Sequence, residues 1–160
     1  MCLPSLSCAS HGVLMDLIYE IPDKIKVAWE SSVRAVVDQW SGLAMVTVSD
    51  FRTAILEIGL PHAIAHGGRA YIVDNSAAMG GFSLAVQDFI ADEVFPAFAK
   101  AGIKYFIIVP SAESPLANMS ALKYEARLGP FGIEGVAAPS LVAAVAWLQE
   151  QASRDPGPGK

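Results

Sequence analysis

The order of apolar segments predicts an α/β domain built on a mixed sheet: an N-terminal β-hairpin followed by alternating helices and parallel strands. Three observations carry this. From Ile25 the chain alternates, with Ile25, Val27 and Trp29 on one face and Lys26, Ala28 and Glu30 on the other. After Ser31 and Ser32 the apolar pattern resumes at Val33 and runs to Trp40, so the two runs read as a hairpin. Short strand-like runs at Ala70 to Val73, Tyr105 to Val109 and Ile133 to Ala137 are then separated by helical patterns, and strands spaced in this way are parallel to one another.

Each element has its own local reason. Leu17 to Ile21 is a short edge strand closed by Pro22, because proline cannot donate to a ladder. Thr47 stands three residues before Asp50, the spacing at which each side chain caps the other's backbone amide at a helix start. Phe51, Ile55 and Ile58 line one face of that helix, and Pro61 predicts a kink or an early end. Ser83 opens a second helix with Val86, Phe89 and Ile90 on its inner side; Pro96 should bend or restart it, Lys100 lies in its last turn, and Gly102 suits the left-handed cap. Tyr105 to Val109 is continuously apolar and closed by Pro110, the pattern of a central strand covered on both faces. Ser114 and Pro115 open a third helix with Leu116, Met119 and Leu122 inward, stopped by Gly129 and Pro130. Pro139 opens the last, in which Leu141, Val142, Val145 and Leu148 share a face.

At 160 residues the chain suits one domain with a full core. We place it at residues 15–151, with a leader over 1–14 and a tail over 152–160 that lie outside the periodic pattern. A net charge of -5 supplies no basic footprint for nucleic acid. No apolar run is long enough for a membrane span. Both cysteines, Cys2 and Cys8, fall in the leader and cannot staple the core, which points to a reducing, cytoplasmic setting.

The organising stretch is the strand ending at Asp74 and the loop that follows it. In an open α/β sheet, loops at the carboxyl ends of parallel strands face the crevice where partners bind. Asp74, Asn75, Ser76, Ala78, Gly80, Gly81 and Ser83 are therefore the candidate partner-binding or switch residues. Asp74 ends its strand where a receiver domain carries its phosphoacceptor, but the first strands supply no acidic pair for Mg²⁺, so it reads as a loop-former bonding nearby amides with Asn75 and Ser76. Gly80 and Gly81 make a tight turn without a phosphate-loop motif. His62 and His66 are four apart but lack a third ligand, and no serine stands in a nucleophile elbow. Neither metal, cofactor nor catalytic residue is assigned.

Several short segments together resemble the STAS domains, the fold of bacterial anti-sigma-factor antagonists, and in particular a divergent bacterial STAS-like branch. They are residues 40–42 (WSG), 49–52 (SDFR), 71–74 (YIVD), 95–96 (FP), 101–105 (AGIKY), 132–134 (GIE) and 146–148 (AWL). The likeness spans about Leu17 to Gln151. It implies a non-enzymatic, regulatory protein-interaction module whose partner is a kinase-like regulator, with oligomerisation left open. By position, the serine that such antagonists present for phosphorylation resembles Ser83, although Phe82 precedes it here where the family pattern has aspartate. A further implied relation, to the CRAL-TRIO fold, gives the alternative of a small apolar-ligand carrier. An enzyme of unspecified reaction ranks third.

Overall fold

The computed structural model describes residues 15–115, 118 and 127–154. Six strands form one mixed sheet in chain order, β1 to β6. β1 (Asp16–Ile21), β2 (Ile25–Glu30) and β3 (Ala35–Trp40) pair antiparallel. β3, β4 (Ala70–Asp74), β5 (Tyr105–Val109) and β6 (Glu134–Ala137) pair parallel. The edge strand, the hairpin and the alternating parallel strands read from the sequence are all present. The turn between β2 and β3 is held by Glu30, whose carboxylate accepts from both the amide and the hydroxyl of Ser32.

Two long helices cover one face of the sheet. The first, α1, passes without a break through an α turn (Val48–Phe51), a π segment (Arg52–Gly59) and a second α segment (Leu60–Ala65). The second, α2, does the same through Leu84–Phe89, a π segment (Ile90–Val94) and Phe95–Ala101. Pro61 was expected to kink or end its helix and Pro96 to bend or restart it; neither helix ends there. Instead the residue before each proline bonds five back, Leu60 to the Ile55 carbonyl and Phe95 to the Ile90 carbonyl. Proline lacks the donor for the i−4 carbonyl and its ring collides with that group; a wider turn relieves both conflicts and lets the helix continue. The slip also moves the buried face, so that Ala54, Ile55 and Gly59 are buried while Ile58 is only half-buried.

The caps follow the sequence closely. The Asp50 amide donates to Thr47 Oγ1 at 3.0 Å and the Thr47 amide to Asp50 Oδ2 at 3.1 Å. Lys24 reaches the same carboxylate at 2.6 Å and, together with the Thr47 amide, holds Asp50 below the usual carboxylate range. Val86 donates to Ser83 Oγ at 3.2 Å, and Gly102 takes the left-handed cap of α2 with φ 88°.

The opposite face is covered by α3 (Leu141–Arg154), packed on β4 and β5 through Ala144, Val145 and Leu148. Val142 was expected on this inner face but is exposed. The Ala143 amide donates to Ser140 Oγ at 3.1 Å, so the first turn is set by Ser140 rather than Pro139, and the inner face falls on Ala144 and Val145. The helix reaches Arg154, three residues past the boundary expected at 151. The leader, the last six residues and the inward positions proposed at Leu116, Met119 and Leu122 lie outside the described residues.

Candidate functional site

The loop after β4 is a built structure. Asp74 accepts from the Ser76 amide at 3.0 Å, the Ser76 hydroxyl at 2.7 Å and Gln39 Nε2 at 3.3 Å, the loop-forming role read from the sequence. Ala78 donates to the Asn75 carbonyl at 2.9 Å, Met79 to the Ser41 carbonyl at 2.7 Å, and Leu43 to the Met79 carbonyl at 3.0 Å. From the far side, Ser111 Oγ donates to the Ala78 carbonyl and Ser114 Oγ to the Gly80 carbonyl, each at 2.8 Å. Gly80 turns at φ 76°, with Ala44 3.5 Å from where its Cβ would stand. The loop is thus clamped between the segment after β3 and the segment after β5.

The seven candidate residues divide by exposure. Ser76 and Ser83 are exposed and Gly80 and Gly81 half-exposed, whereas Asp74, Asn75 and Ala78 are buried. Those three shape the loop from beneath and present no surface to a partner. What the loop presents instead is Met79, 54% exposed, between Met45 at 68% and Leu84 at 75%. The two stretches that carry this apolar rim, residues 41–48 and 74–84, contain neither lysine nor arginine.

Beneath the rim, between the sheet and α1 and α2, lies a cavity that sequence reasoning missed. Its volume, taken as the room open to the centre of a water-sized sphere, is about 30 Å³. Seven aromatic side chains line it: Trp40, Phe51, Tyr71, Phe82, Phe95, Phe98 and Phe106. Trp40, Phe51 and Phe82 form one packed group with centroids 5.1–5.6 Å apart. Phe82, which precedes Ser83, is a wall of this cavity. Ile55, Ile90 and Val94, all within the two π segments, complete the roof.

Three polar side chains enter this apolar space from the sheet. Asp38, Tyr71 and Asn75 are all buried, and Asp38 Oδ1, the Tyr71 hydroxyl and Asn75 Oδ1 find no hydrogen-bond partner among the described residues. Burial pushes the Asp38 carboxyl well above the usual carboxylate range, and burial followed by the nearby Asp38 pushes the Tyr71 hydroxyl upward. The Tyr71 ring stacks on Phe98 with centroids 4.4 Å apart. Its hydroxyl reaches α1 because position 59 is glycine: a Cβ there would lie 2.1 Å from the Tyr71 oxygen. One signal for this site was present in the sequence. Val36, Asp38 and Trp40 alternate on the inward face of β3, and an acid in that register is buried whatever covers the strand.

His62 and His66 do share a helix face, stacked 4.1 Å apart, with Trp29 against both at 5.1 and 5.7 Å. Burial, with a smaller contribution from His66, lowers the His62 pKa. Among the described residues no three metal-ligating side chains come together, and no helix is long and apolar enough to cross a membrane. No family model, curated protein or solved structure matches the chain significantly.

Proposed function

We propose that this domain is a non-enzymatic, regulatory protein-interaction module that docks a protein partner on the surface at the carboxyl ends of β3, β4 and β5. The observation that carries it is the preformed apolar rim of Met45, Met79 and Leu84, exposed on loops that hydrogen bonds hold in place. A rim already ordered loses little conformational entropy on docking, and large exposed apolar side chains suit a protein surface. The exposed Ser83 hydroxyl, at the N-terminus of α2, stands beside this rim. In the STAS-like reading it is the position at which a kinase-like regulator would act, in a cytoplasmic setting.

The test is affinity capture from source-cell lysate with wild-type and variant baits. Met79→Asp and Leu84→Asp should keep the wild-type melting temperature, since both side chains are exposed and an acid in the first turn suits the helix dipole. Each should lose the specific partner at least tenfold. Ser83→Asp keeps the cap and adds charge, and should weaken capture while leaving folding intact. Identical capture by all four baits would refute the docking surface.

A second reading, a carrier of a small, mainly apolar ligand, is favoured by a different observation: three unpartnered oxygens facing an aromatic cavity. Ligand sites combine apolar walls with a few convergent polar groups in this way.

A further inference from the structure

We infer that the cavity beneath α1 and α2 is a binding site for a small organic ammonium, a primary alkyl- or arylalkylamine whose head is held by Asp38, Tyr71 and Asn75. The inference rests on the ligand-carrier reading and gives it a chemical class. The three unpartnered atoms are all oxygens, and a primary ammonium brings three N–H donors and no acceptor. Among the described residues that line the cavity, Asp38 alone can carry a full charge near neutral pH, and none is a cation. An anionic head would therefore meet a carboxyl group and no counter-charge. The walls agree: seven aromatic side chains, Tyr71 among them, line the recess, and aromatic faces attract a desolvated cation.

Size and protons sharpen the choice. The cavity's volume of about 30 Å³ has room for one or two waters, or for an ammonium head whose alkyl chain lies along the rings. Water would satisfy some of the oxygens but supplies no counter-charge that would let Asp38 ionise. The groups that face Asp38 across the cavity are Tyr71 from β4 and Asn75 beyond it; β5, α1 and α2 contribute only apolar side chains. Burial holds Asp38 protonated to a higher pH than an exposed carboxyl, so docking an ammonium displaces that proton. The protonated amine and the neutral carboxylic acid become an ammonium–carboxylate pair, and one proton passes to the buffer.

Calorimetric titration of the whole chain with n-butylamine and with 1-butanol, in buffers of different ionisation enthalpy, tests this. Butylamine is expected to bind with release of up to one proton per site. Asp38→Asn should weaken butylamine about tenfold or more, the effect of losing a charge-assisted hydrogen bond, and should abolish the proton release. Tyr71→Phe should weaken it less and keep the release. Butanol binding as tightly as butylamine, with no proton release, would overturn the amine assignment and leave the cavity as a ligand site. Butylamine binding unchanged in Asp38→Asn would place it elsewhere, and failure of the folded wild type to bind either probe would overturn both readings.

Discussion

Gly59→Ala should unfold at a markedly lower temperature than the wild type, and adding Tyr71→Phe should restore the loss. On propensity alone the single change would help, since alanine is favoured over glycine within a helix by about 1 kcal/mol. Here the new methyl would stand 2.1 Å from the Tyr71 oxygen, and moving the ring away would break its stacking on Phe98. Overpacking of this kind costs about 1–3 kcal/mol, or roughly 2–4 °C for each kcal/mol in a chain of this size. Tyr71→Phe alone removes a hydroxyl without a protein partner and should leave stability unchanged or slightly raised. In the double variant the remaining contacts, Ala54 O at 3.2 Å and Tyr71 Cζ at 3.4 Å, are tight but tolerable. The pair is therefore strongly non-additive. Thermal melts followed by circular dichroism decide it, and equal losses in the single and double variants would show that the collision is not what matters.

Asp38→Asn should stabilise the fold, by an amount that grows as pH rises. The Asp38 pKa is raised in the folded state by burial, so the folded protein binds this proton more tightly than the unfolded chain does. Its contribution is complete below the unfolded value near 3.9 and is lost as pH rises through the folded value. Asparagine keeps the shape and carries no charge at any pH. The gap in stability between variant and wild type should thus be small at about pH 4 and widen toward neutral and alkaline pH, where the wild type must ionise a buried carboxyl without an ion-pair partner or hold its proton against the solvent. Urea unfolding over a pH series measures it, and a gap that stayed constant or narrowed with rising pH would contradict the buried, unpaired carboxyl.

The two variants bear on what the sequence showed and what it hid. Period-two alternation at Ile25, Val27 and Trp29, the unbroken apolar run at Tyr105 to Val109 and the Thr47 and Asp50 spacing each report a preference that acts locally, and each appears where expected. The role of Asp74 as a loop-former was legible for the same reason. The prolines misled because a proline in sequence announces a lost hydrogen bond but not how the chain absorbs it. Core packing against the sheet kept both helices whole, and the hydrogen-bond register shifted instead. The cavity was hidden for a different reason: Asp38, Tyr71 and Asn75 come from two strands and a strand end, and only the parallel pairing of β3 with β4 brings them together. The loop was chosen as a surface on topology, but the exposed members of that surface, Met45, Met79 and Leu84, carry no pattern that separates them from core residues.

The paired π segments also bear on how these helices tolerate changes of length. An i→i+5 turn is what a helix forms when it takes in one extra residue while both of its ends stay in register. On that view α1 and α2 each hold a spare residue ahead of a proline. Elsewhere in a helix, deleting one residue rotates everything beyond it by about 100° and turns the buried face to solvent. Deletion of Glu57 or Asp92, each exposed or half-exposed and four residues before its proline, would instead draw the wide turn into an ordinary one and leave Thr47, Ser83 and Gly102 at their caps. The caps would keep their register, but each proline would again meet an i−4 carbonyl, so the spare residue is also what lets a proline sit within a helix above the recess.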